Sequence, residues 1–246
     1  MIAAIHQPQY LPWLGYFDKM DRADVFCYLD NVQFKKNEWQ NRNRIKNSKG
    51  WQWITLPVCY RFPQKINDVE INTNVKWQRK HIQALITNYS KTPFFEKVLS
   101  FFKQIYANDY KSFARLAISI NEQVRRELGV DTHTFSASEM NLKNENPTGR
   151  LIEICKNLGA DTYLAGQDGE KYMDMKLFKE KGIKVIFQRF NHPVYPQAFG
   201  GFISHLSVVD LLFNCGDESM EIIRKYNPLQ EGYYDKNKYS GHRRSS

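Results

Sequence analysis

Short apolar runs that stop abruptly at polar, proline-bearing segments recur along this chain, and the first of them sets the pattern. Met1-Ile2-Ala3-Ala4-Ile5 is an apolar run of strand length that breaks at His6-Gln7-Pro8-Gln9-Tyr10-Leu11-Pro12. Leu14, Phe17 and Met20 then recur at helical spacing behind Pro12, a residue suited to a first helical turn because its ring fixes φ and its missing N–H is not needed there. Val25-Phe26-Cys27-Tyr28-Leu29 is a second buried run. Strand, helix and strand within about 30 residues is the size of a right-handed parallel crossover. A buried strand ending in a polar loop before a helix puts side chains at the carboxyl edge of a sheet, so the pattern directs attention to His6.

Further along, Trp51-Gln52-Trp53-Ile54-Thr55-Leu56-Pro57-Val58 alternates and is rich in β-formers, which predicts a third strand. Residues 59–74 read as loop with a short extended piece at Val69-Glu70-Ile71. Apolar residues at helical spacing predict helices near 75–89, 93–107 and 110–128, together a helical insertion over about 75–130. Strand and helix then alternate again: a strand at 132–137, a helix capped by Asn146-Pro147-Thr148 and ended by Gly159, a strand at 162–165, a helix at 173–181 stopped by Gly182, and a strand at 183–188. Ser207 to Phe213 is the last apolar helix, and no repeat period is present. The fold expected is α/β, a mostly parallel sheet with flanking helices of Rossmann-like kind and a helical insertion. One domain over 1–232 is expected, followed by a basic tail at 233–246 that reads as disordered.

Composition narrows the setting. The chain has 246 residues, enough for one large domain. No apolar run approaches the roughly 18 residues of a membrane span, and the N-terminus lacks a secretory signal, so a cytoplasmic location is expected. Cys27, Cys59, Cys155 and Cys215 lie far apart with no Cys-x-x-Cys pair, which reads as free thiols, and no metal site is expected. The formal net charge of +9 favours an anionic partner, although Lys236, Lys238, Arg243 and Arg244 of the tail supply part of it. No helix-turn-helix, RNP or zinc-finger pattern points to nucleic acid. Neither a Gly-x-Ser-x-Gly elbow nor a Gly-x-x-x-x-Gly-Lys loop is present, and the residues name no cofactor.

Four polar segments follow strands and carry the candidate chemistry. His6 is a candidate general base because its ordinary pKa lies near neutrality; the alternative is a histidine bonded to a neighbouring loop carbonyl. Gln7 and Tyr10 sit beside it in a loop stiffened by Pro8 and Pro12. The second segment, residues 30–44, mixes Asp30, Gln33, Lys35, Trp39, Asn41, Arg42 and Arg44. Arginine forks suit phosphate or carboxylate, amides suit sugar hydroxyls or base edges, and tryptophan stacks on either, so this mixture fits a nucleotide or nucleotide-linked sugar. A solvated basic loop is the other reading. The third, Gly166-Gln167-Asp168-Gly169, offers Gln167 for binding and Asp168 to orient a hydroxyl or amine, or is a plain turn. The fourth runs from Gln188 to Gln197 with His192 as second candidate base and Tyr195 as a binding residue. His81, on a helix beside Trp77, reads as covering an interface.

Four stretches together resemble the WbqC-like protein family: residues 6–17, Leu29-Asp30-Asn31-Val32-Gln33-Phe34, Trp39-Gln40-Asn41-Arg42-Asn43-Arg44-Ile45 and Tyr163-Leu164-Ala165-Gly166. The resemblance spans about residues 1–216. It implies a place in bacterial surface-polysaccharide pathways, O-antigen among them, and a transferase attaching acyl or aminoacyl groups such as glycyl to a nucleotide-linked amino sugar. On that reading His6 is the base, Lys35, Arg42 and Arg44 hold the diphosphate, and an acyl donor of unidentified kind is the second partner. The alternative class is a non-catalytic nucleotide-sugar-binding protein that supports polysaccharide assembly. The first loop also resembles the nucleotidylyltransferase and pantoate ligase superfamily. It departs from that superfamily where Trp13 and Tyr16 replace an expected second histidine, and no Lys-Met-Ser-Lys-Ser-type loop is present.

Overall fold

The structure is a computed structural model that describes residues 1–228. The expected boundary at 232 and the expected tail at 233–246 lie outside the described residues. Five strands form one sheet: β1 (Ile2–His6), β2 (Val25–Tyr28), β7 (His133–Ser136), β8 (Thr162–Ala165) and β9 (Lys184–Phe187). They lie in the order β7, β2, β1, β8, β9, and every neighbouring pair is parallel. The central runs β1, β2 and β8 are therefore strands buried on both faces, whereas the edge strands β7 and β9 are partly exposed.

Alternation along those strands divides the core in two. Ile2, Ala4, Phe26, Tyr28, Leu164 and Ile186 face one apolar cluster, whereas Ala3, Ile5, Val25, Cys27, Tyr163 and Ala165 face the other. The second cluster is covered by α5 (Pro147–Asn157) and α6 (Met175–Glu180). Asn146 caps α5 by accepting from the Gly149 amide at 3.0 Å, as the Asn-Pro-Thr pattern requires. The first cluster is covered by α1 (Leu14–Asp21), α7 (Val208–Cys215), α8 (Ser219–Tyr226) and three helices from the stretch read as an insertion. Those are α2 (Trp77–Tyr89), α3 (Phe95–Tyr106) and α4 (Phe113–Glu127), whose Trp77, Leu85, Phe102 and Leu116 belong to the same apolar cluster as Ala4 and Phe26.

Two hairpins stand apart from the main sheet. β3 (Arg42–Asn47) pairs with β4 (Gly50–Thr55), antiparallel, with Gly50 at φ 124 closing the turn. β5 (Val58–Cys59) pairs with β6 (Glu70–Ile71). The strand expected over 51–58 is thus two strands separated at Leu56-Pro57, neither in the main sheet, and β3 occupies part of a segment read as polar loop. The chain also continues beyond the helix at 207–213 into α8, whose Met220 and Ile223 are buried.

The β3–β4 hairpin has two unlike faces. Directly opposed residues share a face, so Ile45 and Ile54 turn inward with Asn43, while Arg42, Arg44, Trp51 and Trp53 share the outward side. Asn43 is fully buried, donates to the Leu11 carbonyl at 2.8 Å and accepts from the Arg44 amide at 2.8 Å. This fastens the hairpin to the loop that leaves β1.

Candidate functional site

The strand order reverses direction beside β1: the chain moves outward through β2 to β7, then returns to β8 and continues to β9. In open parallel sheets the crevice for a ligand lies outside the carboxyl ends of the strands at such a reversal. Because all five strands are parallel, the segments after His6, Tyr28, Ala165 and Phe187 leave from one edge. Gly166 lies just past β8, and a Cβ added there would meet nothing within 4 Å, so the space over Gly166 is open.

His6 ends β1 on the face that carries Ala4. Its Nδ1–H donates to the Gln7 carbonyl at 3.0 Å, and its ring meets Tyr16 edge-on with centroids 4.8 Å apart. Burial, then the nearby Lys19 ammonium, lowers its pKa to about 4 against the weaker effect of the Gln7 carbonyl. The imidazole is therefore neutral at physiological pH, with Nε2 as the acceptor and no hydrogen bond to it among the described residues.

The other predicted residues divide into interior braces and surface groups. The Tyr10 hydroxyl is wholly buried, 2.7 Å from His81 Nδ1 and 2.5 Å from the Tyr106 hydroxyl. Gln7 accepts from Gln40 at 2.7 Å. Asp30 is buried and accepts from the Ser138 amide at 2.8 Å and hydroxyl at 2.5 Å, joining the ends of β2 and β7. Asn41 is buried against the Leu56 carbonyl at 3.0 Å. Tyr195 is buried and donates to Asp210 at 3.0 Å. His192 has both ring nitrogens engaged: Nδ1–H donates to the Pro193 carbonyl at 2.9 Å, and Nε2 accepts from the His205 amide at 2.9 Å. Gln33, Lys35, Gln167 and Asp168 are exposed, and Asp168 pairs with Lys171 at 2.6 Å. Among the described residues, no hydrogen bond or ion pair joins His6, Asp168 and His192 to one another.

Trp39, Arg42 and Arg44, by contrast, come together, and they do so with residues that the sequence reading assigned only to a strand. The Arg42 guanidinium lies 4.2 Å from the Trp53 ring centroid, and that of Arg44 lies 5.0 Å from Trp51 and 5.4 Å from Trp39. Trp53 is 5.4 Å from both Trp39 and Trp51. All three indoles remain 38–44% exposed. A cavity of 280 Å³ lined by Gln9, Trp13, Trp39 and His205 adjoins them. Trp13 and His205 stack at 5.9 Å, and Arg44 donates to the His205 carbonyl at 3.1 Å. His205 holds φ 59, a left-handed conformation that costs a non-glycine residue energy and is concentrated at functional positions. Gln9 Oε1, Arg42 Nε and Arg44 Nε are buried without a hydrogen-bond partner. Of these, Gln9 lines the cavity, and a polar ligand could satisfy its unpaired oxygen.

Lys19 is the residue the sequence reading missed altogether. It is 3% exposed on α1, donates to the Ile5 carbonyl at 2.9 Å, and forms no ion pair among the described residues. Among the described residues no three His, Cys, Asp or Glu side chains gather as a metal would require, and no helix is long and apolar enough to cross a membrane.

A wholly parallel five-stranded sheet that reverses beside β1, with helices on both faces, makes this a doubly wound α/β protein of Rossmann-like type. The chain belongs to the WbqC-like protein family, which it matches over residues 7–222. It is 35% identical over 225 residues to the uncharacterized protein Rv1507c of Mycobacterium tuberculosis, covering 90% of this chain and 96% of that one. No solved structure matches it.

Proposed function

We propose that the protein binds a nucleotide-linked sugar for bacterial surface-polysaccharide biosynthesis, using the outward face of the β3–β4 hairpin and the cavity beside it. The observation that carries this reading is the set Trp39, Trp51 and Trp53 interleaved with Arg42 and Arg44. Indole faces accept a nucleobase or the C–H face of a sugar, and guanidinium forks accept phosphate oxygens. Membership of the WbqC-like family supplies the pathway side of the proposal.

The test is calorimetric titration and tryptophan fluorescence quenching with UDP-, dTDP- and GDP-linked amino sugars. Saturable binding is expected, weakened in Trp39→Ala by about 1–3 kcal/mol, roughly 5- to 150-fold, if a base stacks there. Absence of binding to every nucleotide sugar, or unchanged affinity in both Trp39→Ala and Arg44→Ala, would sink the reading.

A second reading, N-acyl or aminoacyl (glycyl) transfer to the amino sugar, is favoured by one observation. His6 Nε2 is an unpaired acceptor at the reversal of strand order. With a pKa of about 4 it is a weak base, suited to accepting a proton from an amine only as that amine becomes cationic on attack. Loss of transfer in His6→Gln, with nucleotide-sugar affinity retained, would support it; transfer at the wild-type rate would exclude His6 as base.

A further inference from the structure

The Lys19 ammonium occupies an unusual place in the sheet. Successive carbonyls of a strand point to alternate neighbours, and the His6 carbonyl accepts from the Leu29 amide on the β2 side at 2.9 Å. The Ile5 carbonyl therefore points toward β8. The β1–β8 pairing ends at Ala4 and Leu164, so this carbonyl lies just beyond the last rung. A continued ladder would give it the Gly166 amide; Lys19 Nζ takes that place at 2.9 Å. Nζ is also 5.8 Å from the ring centroid of Tyr163 on β8. A helical lysine reaches this point because its side chain leans toward the helix N-terminus, which in α1 lies at the carboxyl edge.

The ammonium has three protons to donate and one named acceptor. The groups facing it are the His6 imidazole, which carries no negative charge, and the Tyr163 ring. Asp18 on the same helix is committed to Arg22 at 2.8 Å and Gln188 at 2.7 Å. Charging a lysine buried without a counter-ion is costly, and proteins keep such groups where a ligand supplies the missing charge. We propose that Lys19 is the oxyanion-receiving group of the crevice between β1 and β8, pairing with a phosphoryl or carboxylate group of the ligand beside the open space over Gly166.

The proposal is independent of the hairpin reading, and its test uses simple anions. Sulfate imitates a phosphoryl group without titrating near neutrality, and acetate imitates a carboxylate. Burial lowers the Lys19 pKa to about 7, so an anion that pairs with it draws a proton from solution. Calorimetry at pH 7.5 in two buffers of different ionisation enthalpy should show fractional proton uptake on sulfate or acetate binding, whichever of the two the site prefers. Lys19→Met should weaken that binding at least tenfold and abolish the uptake. If Lys19 only straps the Ile5 carbonyl, Lys19→Met will lower the unfolding midpoint and leave anion affinity within twofold, which overturns the proposal. Failure of the wild-type protein to bind either anion, or binding without proton uptake, overturns it as well. Should Lys19→Met not fold, proton uptake by the wild-type protein decides.

Discussion

Acidification should destabilise this protein through His81, and the size of the effect follows from its contacts. His81 is 7% exposed, between the loop after β1 and the hairpin. The Thr55 carbonyl at 3.1 Å can only accept, so Nε2 carries the proton and Nδ1 accepts from the Tyr10 hydroxyl at 2.7 Å. The ring is thus satisfied as a neutral group, and burial lowers its pKa from 6.5 to about 4. As pH falls below 6.5 the unfolded chain takes up this proton first, so stability drops between about pH 6.5 and 4 and the loss is complete below that window. Two and a half units at about 1.4 kcal/mol each give roughly 3 kcal/mol in all, most of it lost by pH 4.5. That is a large share of the ~5–15 kcal/mol typical of a domain. Urea unfolding at pH 7 and 4.5 would measure the loss, and His81→Gln isolates the contribution of this ring. The variant should be weaker at pH 7 but lose roughly 2–3 kcal/mol less than wild type on acidification. Equal losses in the two proteins would show that the ring is not held neutral by its surroundings.

Two further expectations concern stability and thiol access. Asn43→Ala leaves the Leu11 carbonyl and the Arg44 amide without partners in a fully buried position, at about 1–3 kcal/mol each; a Tm within a degree of wild type would show that the tie is dispensable. Cys59 is exposed while Cys27, Cys155 and Cys215 are buried, and burial holds the Cys155 and Cys215 thiols up at about 12 and about 11. An aromatic disulfide reagent should therefore titrate one fast thiol in the native protein and four after unfolding, and a second fast thiol would contradict the packing around α5 or α7.

The parallel sheet was legible because β1, β2 and β8 are runs that need no alternation: both faces are covered, so every residue can be apolar. β3 was not, because Arg42-Asn43-Arg44-Ile45-Lys46-Asn47 has a single apolar residue and is retained by partners distant in sequence. Asn43 bonds to Leu11, and the Lys46 amide donates to the Tyr89 hydroxyl at 3.0 Å. Trp39, Arg42 and Arg44 lie within six residues of one another in the chain, yet Trp51 and Trp53 could join them only once the hairpin register was known. Tyr10 shows the converse, since a tyrosine in a polar loop says nothing of a histidine 71 positions later that will bury its hydroxyl. Lys19 was hidden for a simpler reason: lysine on an amphipathic helix ordinarily faces water.

The two faces of the β3–β4 hairpin separate what must stay constant from what is free to vary. Ile45, Ile54 and Asn43 anchor the ribbon, whereas Trp51 and Trp53 project from it without taking part in the core. Replacing the outward residues therefore risks little of the fold, so if the proposed ligand binds there, its identity could be changed by exchanging a few side chains on a scaffold that does not register the change.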